Sequence, residues 1–278
     1  MAIDYDFLGK KAYELRKDVV SSMYKSPLHV GHVGGALSSA EIISVLYYNY
    51  MKIDPKEPYK DDRDIFIMSK GHCWAIQFAA LADLGYISRE DLWTYKTPHS
   101  KLQGHPDFRK CPGLEVTSGS LGQGLSYGLG FALAFRRKKK NNKVFVLAGE
   151  SEFQEGMFWE ALMAASHYGL NNIVCYIDRN RLQVCGDTDK IMNVEPLTER
   201  LEAFGWHTAR VNGNDVKALC DATDEALVCG RPAAIICDTI KGKGVSYMEG
   251  IMEWHSNTIT DELYRQAMAE LDERLKSL

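Results

Sequence analysis

The sequence predicts an α/β fold built on a mainly parallel sheet. Short, fully apolar runs rich in valine and isoleucine recur along the chain. Stretches with apolar residues at helical spacing separate them, and turn or breaker residues stand at the junctions. Alternation of that kind joins parallel strands through crossover helices. With 278 residues, 45% of them hydrophobic, the chain can bury a sizeable core. It shows no internal repeat, low-complexity tract or linker, so the expectation is one domain spanning residues 1–278.

Taken in order, the apolar spacing predicts a helix from Phe7 to Tyr24, ended near Pro27, then a glycine-rich loop from His29 to Gly35. Helical spacing returns from Ala36 to Tyr50, with Ser38 and Ser39 near its start. The run Asp64-Ile-Phe-Ile-Met reads as a buried strand whose end delivers Gly71 and His72. A helix from Cys73 to Leu84 and a loop from Thr97 to Ser118 follow. The next helix begins near Leu121 and ends in Arg136-Arg137-Lys138-Lys139-Lys140, where the cations complement the helix dipole.

Beyond it the alternation is clear. Strands Val144–Leu147, Ile173–Ile177, Thr208–Val211 and Ala233–Cys237 are separated by helices Met157–Tyr168, Pro196–Phe204 and Val216–Cys229, and a polar helix, Asp261–Leu275, closes the chain. Open parallel sheets place ligands beyond the carboxyl ends of their strands. Those ends carry Gly149-Glu150-Ser151, Asp178-Arg179-Asn180, Asn212-Gly213-Asn214 and Asp238 to Gly244.

A formal charge of −4 argues against a nucleic-acid or anionic-membrane partner. No apolar run is long enough to span a bilayer, and the N-terminus carries acids where a leader would be basic, so the expectation is a soluble, cytoplasmic protein. The seven cysteines are odd in number and scattered, which fits a reduced compartment. His29, His99, His167 and His207 read as structural. Tyr47, Tyr48, Tyr50, Phe153, Phe158 and Trp159 read as core or interface.

Two strand ends present oxygen ligands. Glu150 offers a carboxylate, and Asn180, thirty positions on, an amide oxygen. Hard oxygens on neighbouring strands suit Mg²⁺ or Ca²⁺ bridging a diphosphate. Small residues around Glu150 let backbone N–H groups approach the phosphate, and the following helix adds its dipole.

This pattern resembles the thiamine diphosphate motif of the transketolase family, in which Gly-Asp-Gly is followed some thirty residues later by Asn. The resemblance covers nearly the whole chain: Gly31-His32-Val-Gly-Gly, Ser69-Lys-Gly-His72, Gln103-Gly-His105-Pro, Thr117-Ser-Gly119-Ser-Leu-Gly-Gln-Gly, Gln154-Glu155-Gly, Asp178-Arg-Asn-Arg-Leu-Gln, and Lys241-Gly-Lys-Gly with Trp254-His255. It implies the diphosphate-binding domain of the thiamine diphosphate fold.

It also implies roles. Glu150, Asn180 and the Leu182 carbonyl would hold the divalent ion, Mg²⁺ or alternatively Ca²⁺ or Mn²⁺. Ser151, His72, Lys241 and His255 would lie near the diphosphate, while Gly119, Ser120 and Leu121 would contact the aminopyrimidine. His32, His105 and His255 would face the sugar and pass protons. Glu155 would face a subunit interface in a carboxylate proton network. The implied reaction moves a two-carbon ketol unit from a ketose or ketose phosphate to an aldose.

Two departures stand out. Glu150 and Ser151 replace the family's Asp-Gly, lengthening the reach to a metal with strict octahedral geometry. The pyrimidine-binding and C-terminal domains of a full transketolase do not appear, so the expectation is a partner subunit supplying them in an α2β2 assembly. The alternatives are another thiamine-dependent component, such as a deoxyxylulose-phosphate synthase relative or a dehydrogenase E1 component, and a non-catalytic subunit with an altered metal site. The sugars, whether ordinary pentose phosphates, branched or sulfonated, stay open.

Overall fold

The computed structural model describes residues 3–278. Its strands are β1 Val30–Gly31, β2 Ile65–Met68, β3 Val144–Gly149, β4 Ile173–Arg179, β5 Leu182–Gln183, β6 Gly186–Asp187, β7 His207–Asn212, β8 Ala233–Asp238 and β9 Asn257–Thr258. Five of them form a parallel sheet in the order β2-β3-β4-β8-β7, as the sequence predicts.

The helices are α1 Tyr5–Lys25, α2 Val33–Leu37, α3 Ala40–Val45, α4 Ala75–Asp83, α5 Gly124–Arg137, α6 Gly156–His167, α7 Thr188–Ile191, α8 Leu197–Ala203, α9 Val216–Val228 and α10 Asp261–Lys276.

Side chains alternate across the sheet and feed two cores. Phe66, Met68, Phe145, Leu147, Val174, Tyr176, Ile235 and Cys237 pack toward α1, α3, α4 and α9. Ile65, Ile67, Val144, Val146, Cys175, Ile177, Ala234 and Ile236 pack toward α5, α6 and α8. Helices on both faces explain why β2, β3, β4 and β8 read as continuous apolar runs.

Asp4 caps α1 by accepting from the Phe7 N–H at 2.9 Å. The α1 stripe Leu8, Ala12, Leu15, Val19 and Met23 is buried. Within it Arg16 is fully buried, bidentate to Glu41 of α3 at 2.6 Å to each oxygen, with Nη2 also donating to the Leu37 carbonyl. That fork satisfies the charge and ties α1 to α3.

The single helix expected over 36–50 is instead α2, a break, α3 and a π-turn over Leu46–Tyr50. The break falls at Ser38 and Ser39, whose hydroxyls both bond back to the Gly35 carbonyl. Serine competes with the helix for its own acceptors in this way. Three short elements escaped the sequence reading: the β5–β6 hairpin, helix α7 and the antiparallel β1–β9 pair. Each is too short to show a periodicity. No described helix is long and apolar enough to cross a membrane.

Candidate functional site

The carboxyl ends of β2, β3, β4 and β8 open into a cleft of about 270 Å³. Its lining includes His72, Leu121, Glu150, Ser151, Glu155, Asn180, Leu182, Lys241 and His255, nine of the positions singled out from the sequence.

Chain direction explains the placement. β3 ends at Gly149 and turns at once into a 3-10 turn over Glu150–Gln154, which leaves Glu150 and Ser151 at the cleft floor. β4 ends at Arg179, and Arg181 takes a left-handed backbone (φ 64°) that turns the chain into the β5–β6 hairpin. The turn aims Asn180 and the Leu182 carbonyl back at the cleft. Asn180 donates through Nδ2 to Asp178 at 2.9 Å and accepts the Leu182 N–H at 3.1 Å, so its amide is held in one orientation.

Burial pushes the Glu150 carboxyl up to about 7, against the pull of the Arg179 guanidinium. Glu150 Oε1 accepts from Thr188 at 3.2 Å, while its buried Oε2 has no hydrogen-bond partner. Lys241 Nζ lies 2.9 Å from the Leu182 carbonyl oxygen and 3.1 Å from His255 Nδ1. Burial lowers the Lys241 pKa.

Four imidazoles converge above this floor. Ring centroids are 5.3 Å apart for His32 and His72, 5.3 Å for His32 and His255, 5.0 Å for His72 and His255, and 6.5 Å for His32 and His105. The β1–β9 pairing sets Val30 against Thr258 and Gly31 against Asn257, and so carries His32 and His255 to each other. Burial and the neighbouring cations lower His32 and His72 to about 4 and His255 to about 3, and they lower His105 too. These rings are neutral at pH 7. His32 Nδ1 is buried with no partner, a hydrogen-bonding atom awaiting one.

Glycines let the segments meet. A Cβ on Gly71 would stand 2.6 Å from Ser118 Oγ and 2.9 Å from the Gly119 nitrogen; one on Gly34 would stand 2.6 Å from the Trp254 carbonyl oxygen. Gly119 (φ 147°) lies against the His105 ring. Ser120 is exposed on the same loop and accepts from Gln123. Glu155 is exposed at the cleft edge.

Four buried charges were missed as site residues. Lys70 bonds Asp178, Ser39 and the Gly35 carbonyl at 2.5, 2.6 and 2.8 Å. Asp178 also accepts from Ser38 at 2.8 Å and from Thr239. Glu152, 1% exposed, accepts from Ser69 at 2.5 Å, Gly122 at 2.8 Å and Gly149 at 2.7 Å, joining the ends of β2 and β3 to the loop before α5. Arg179, 2% exposed, stands beside Glu150. The signal was available: charged residues inside or at the end of an apolar strand run need partners, and partners imply a built polar site.

A carboxylate, an amide oxygen and a main-chain carbonyl facing one cleft form a hard-oxygen donor set. With the unpartnered Glu150 oxygen above a glycine-lined approach and two ammonium groups, the residues fit a metal-bound diphosphate.

The family profile described as "Transketolase, thiamine diphosphate binding domain" matches residues 14–272. The chain is 41% identical over 269 residues to an apulose-4-phosphate transketolase subunit of Phocaeicola vulgatus, covering 95% of this chain and 93% of that protein. It is 39% identical over 266 residues to the 6-deoxy-6-sulfo-D-fructose transketolase subunit SqwG of Clostridium sp., covering 95% and 96%. Among solved structures, the transketolase of Campylobacter jejuni superimposes with a TM-score of 0.90 at 30% identity. That match covers 98% of this chain but 43% of the other, so the chain spans less than half of the longer enzyme.

Proposed function

Because the chain belongs to the transketolase family, as its thiamine diphosphate-binding domain, we propose that it is the cofactor-anchoring subunit of a two-chain transketolase. In this reading all 278 residues form one such domain and act in the cytoplasm with a partner subunit carrying the pyrimidine-binding and C-terminal domains, in an α2β2 assembly. Two relatives of matching length carry subunit names, which supports the partner.

Glu150, Asn180 and the Leu182 carbonyl would hold Mg²⁺, with Ca²⁺ or Mn²⁺ as substitutes. His72, Ser151, Lys241 and His255 would bind the diphosphate oxygens, and the loop Gly119-Ser120-Leu121 would support the aminopyrimidine. When bound, thiamine diphosphate supplies the carbanion that adds to a ketose carbonyl.

The protein's share is orientation and proton handling. His32, His105 and His255 are held neutral, so each ring can donate from one nitrogen to a sugar oxygen and accept at the other. An N–H aimed at a carbonyl oxygen stabilises the charge that grows there during carbon–carbon bond cleavage. Glu152 fixes the three segments around the cofactor, which spares reorganisation during reaction. Glu155, exposed at the cleft edge, would face the partner and pass protons there.

The single observation that carries this reading is the meeting of four imidazoles over an oxygen-ligand floor at the ends of parallel strands. The named relatives act on a phosphorylated and a sulfonated sugar respectively. A ketose bearing an anionic group is therefore the substrate class we assign.

Co-purification with the partner chain, calorimetric titration with thiamine diphosphate with and without Mg²⁺, and a ketol-transfer assay test the reading. Saturable cofactor binding and transfer by the pair alone are expected. No cofactor binding by the pair, or full transfer by this chain alone, would overturn it.

A further inference from the structure

Building on that reading, we infer that Lys96 is a specificity-determining residue of the sugar pocket, whose ammonium holds the phosphate or sulfonate group of the ketose. Lys96 stands in the loop before His105, on a backbone with φ 61°. Residues with a Cβ enter that left-handed region only where their surroundings enforce it. The Lys96 N–H donates to the Leu102 carbonyl at 2.8 Å, and the preceding Tyr95 carbonyl accepts from Ser26 Oγ at 2.6 Å. Gln103 Nε2 ties the loop together through the Thr97 and Ser100 carbonyls at 3.1 and 2.8 Å.

The fixed backbone sends the side chain across Gly104, the residue next to His105. A Cβ on Gly104 would stand 2.8 Å from Lys96 Cε and 3.7 Å from both Cδ and Cγ, so the stem runs along the main chain that carries His105. Burial lowers the pKa of His32 and His105, and the Lys96 charge adds to the lowering of each. The ammonium is thus a neighbour of two of the three imidazoles assigned to the sugar.

This cation has no counter-ion. Among the described residues no carboxylate pairs with Lys96, and burial alone lowers its pKa. Acids in the flanking segments have other partners: Asp91 meets Lys101 at 3.8 Å, Asp107 meets Arg109 at 3.0 Å, and Glu115 meets Arg63 at 2.6 Å. The two acids that act on His72 are engaged as well, Asp178 by Lys70 and Glu152 by Ser69, Gly122 and Gly149. A half-buried ammonium that has lost part of its hydration and found no acid is stabilised by an arriving anion. Lysine presents three N–H donors around a compact charge, so it receives a phosphate or a sulfonate without the fixed fork that arginine would impose. Those are the groups on the sugars named for two relatives.

The test compares donors in a ketol-transfer assay of the complex with its partner subunit, loaded with thiamine diphosphate and Mg²⁺. Fructose 6-phosphate, 6-deoxy-6-sulfo-D-fructose and apulose 4-phosphate are each assayed beside the uncharged parent sugar. In the unaltered complex kcat/KM should favour the charged donors. Lys96→Met should shrink that preference about thirtyfold, through KM and not kcat, the scale of a hydrogen bond to a charged group. Lys96→Arg should restore most of it. Gly104→Ala, whose methyl displaces the lysine stem and leaves its charge, should act in the same direction and covers the case in which Lys96→Met fails to fold.

Equal kcat/KM for charged and uncharged donors in the unaltered complex would overturn the inference. So would an unchanged preference in a folded Lys96→Met complex, an equal loss for charged and uncharged donors, or loss of the partner subunit on purification, which would mark Lys96 as an assembly contact. Absence of transfer from every one of these sugars sinks the functional reading itself, an outcome distinct from the others.

Discussion

Lys70 and Asp178 meet across the ends of β2 and β4, with Nζ 2.5 Å from Oδ2 and both side chains buried. Burial opposes the charge on each. The Asp178 carboxylate nevertheless raises the Lys70 pKa, and Lys70 holds the Asp178 carboxyl below its ordinary range. The same ammonium bonds Ser39 and the Gly35 carbonyl, so one cation pins the α2–α3 break to the sheet.

Removing one partner leaves the other charge buried and alone. Asp178→Asn and Lys70→Met should each destabilise the protein by about 3–5 kcal/mol. Denaturant unfolding of both single variants and the double variant checks this. The double variant should lose much less than the sum, because the pair is removed together.

The imidazole cluster predicts acid sensitivity between about pH 6.5 and pH 4. Unfolded histidine titrates near 6.5, whereas burial and nearby cations lower His32 and His72 to about 4 and His255 to about 3. Across that window the unfolded chain binds more protons, so stability falls as pH falls. Above about pH 7 the rings are neutral in both states and add no pH dependence. Unfolding midpoints at pH 7.5 and pH 5 measure the slope, and His72→Gln should flatten it.

Gly71→Ala places a methyl 2.6 Å from Ser118 Oγ and 2.9 Å from the Gly119 nitrogen. Overpacking of that kind costs about 1–3 kcal/mol. Because it pushes away the loop that runs through Leu121, affinity for thiamine diphosphate should fall as well, which calorimetry resolves alongside thermal unfolding.

Cys185 is exposed at the cleft mouth, whereas Cys73, Cys111, Cys175, Cys220 and Cys237 are buried and Cys229 is half-buried. Titration with a thiol reagent should show Cys185 reacting first, identified by mass spectrometry of the labelled peptide. Thiamine diphosphate with Mg²⁺ should slow that reaction.

The parallel sheet was legible because strands covered on both faces must be apolar throughout, as Val144–Leu147 and Ile173–Ile177 are. The arrival of Glu150 and Asn180 at the cleft was legible because they sit directly after such strands. Helix continuity through Ser38 and Ser39 was misread, since their back-bonds to Gly35 depend on local geometry that composition does not show. Glu152 and Arg179 were overlooked for a related reason. Their importance rests on being buried among partners distant in sequence, Gly122 for one and Glu195 for the other.

Meeting of Val30–Gly31 with Asn257–Thr258 has a consequence for how the protein is made. Two main-chain rungs bridge segments near opposite ends of the polypeptide, and contacts so distant in sequence are slow to form. During synthesis the sheet can assemble from its earlier strands, but His32 waits for His255 to leave the ribosome. The imidazole pocket is thus among the last features to mature, and chains that stop short of Asn257 would carry a sheet without it.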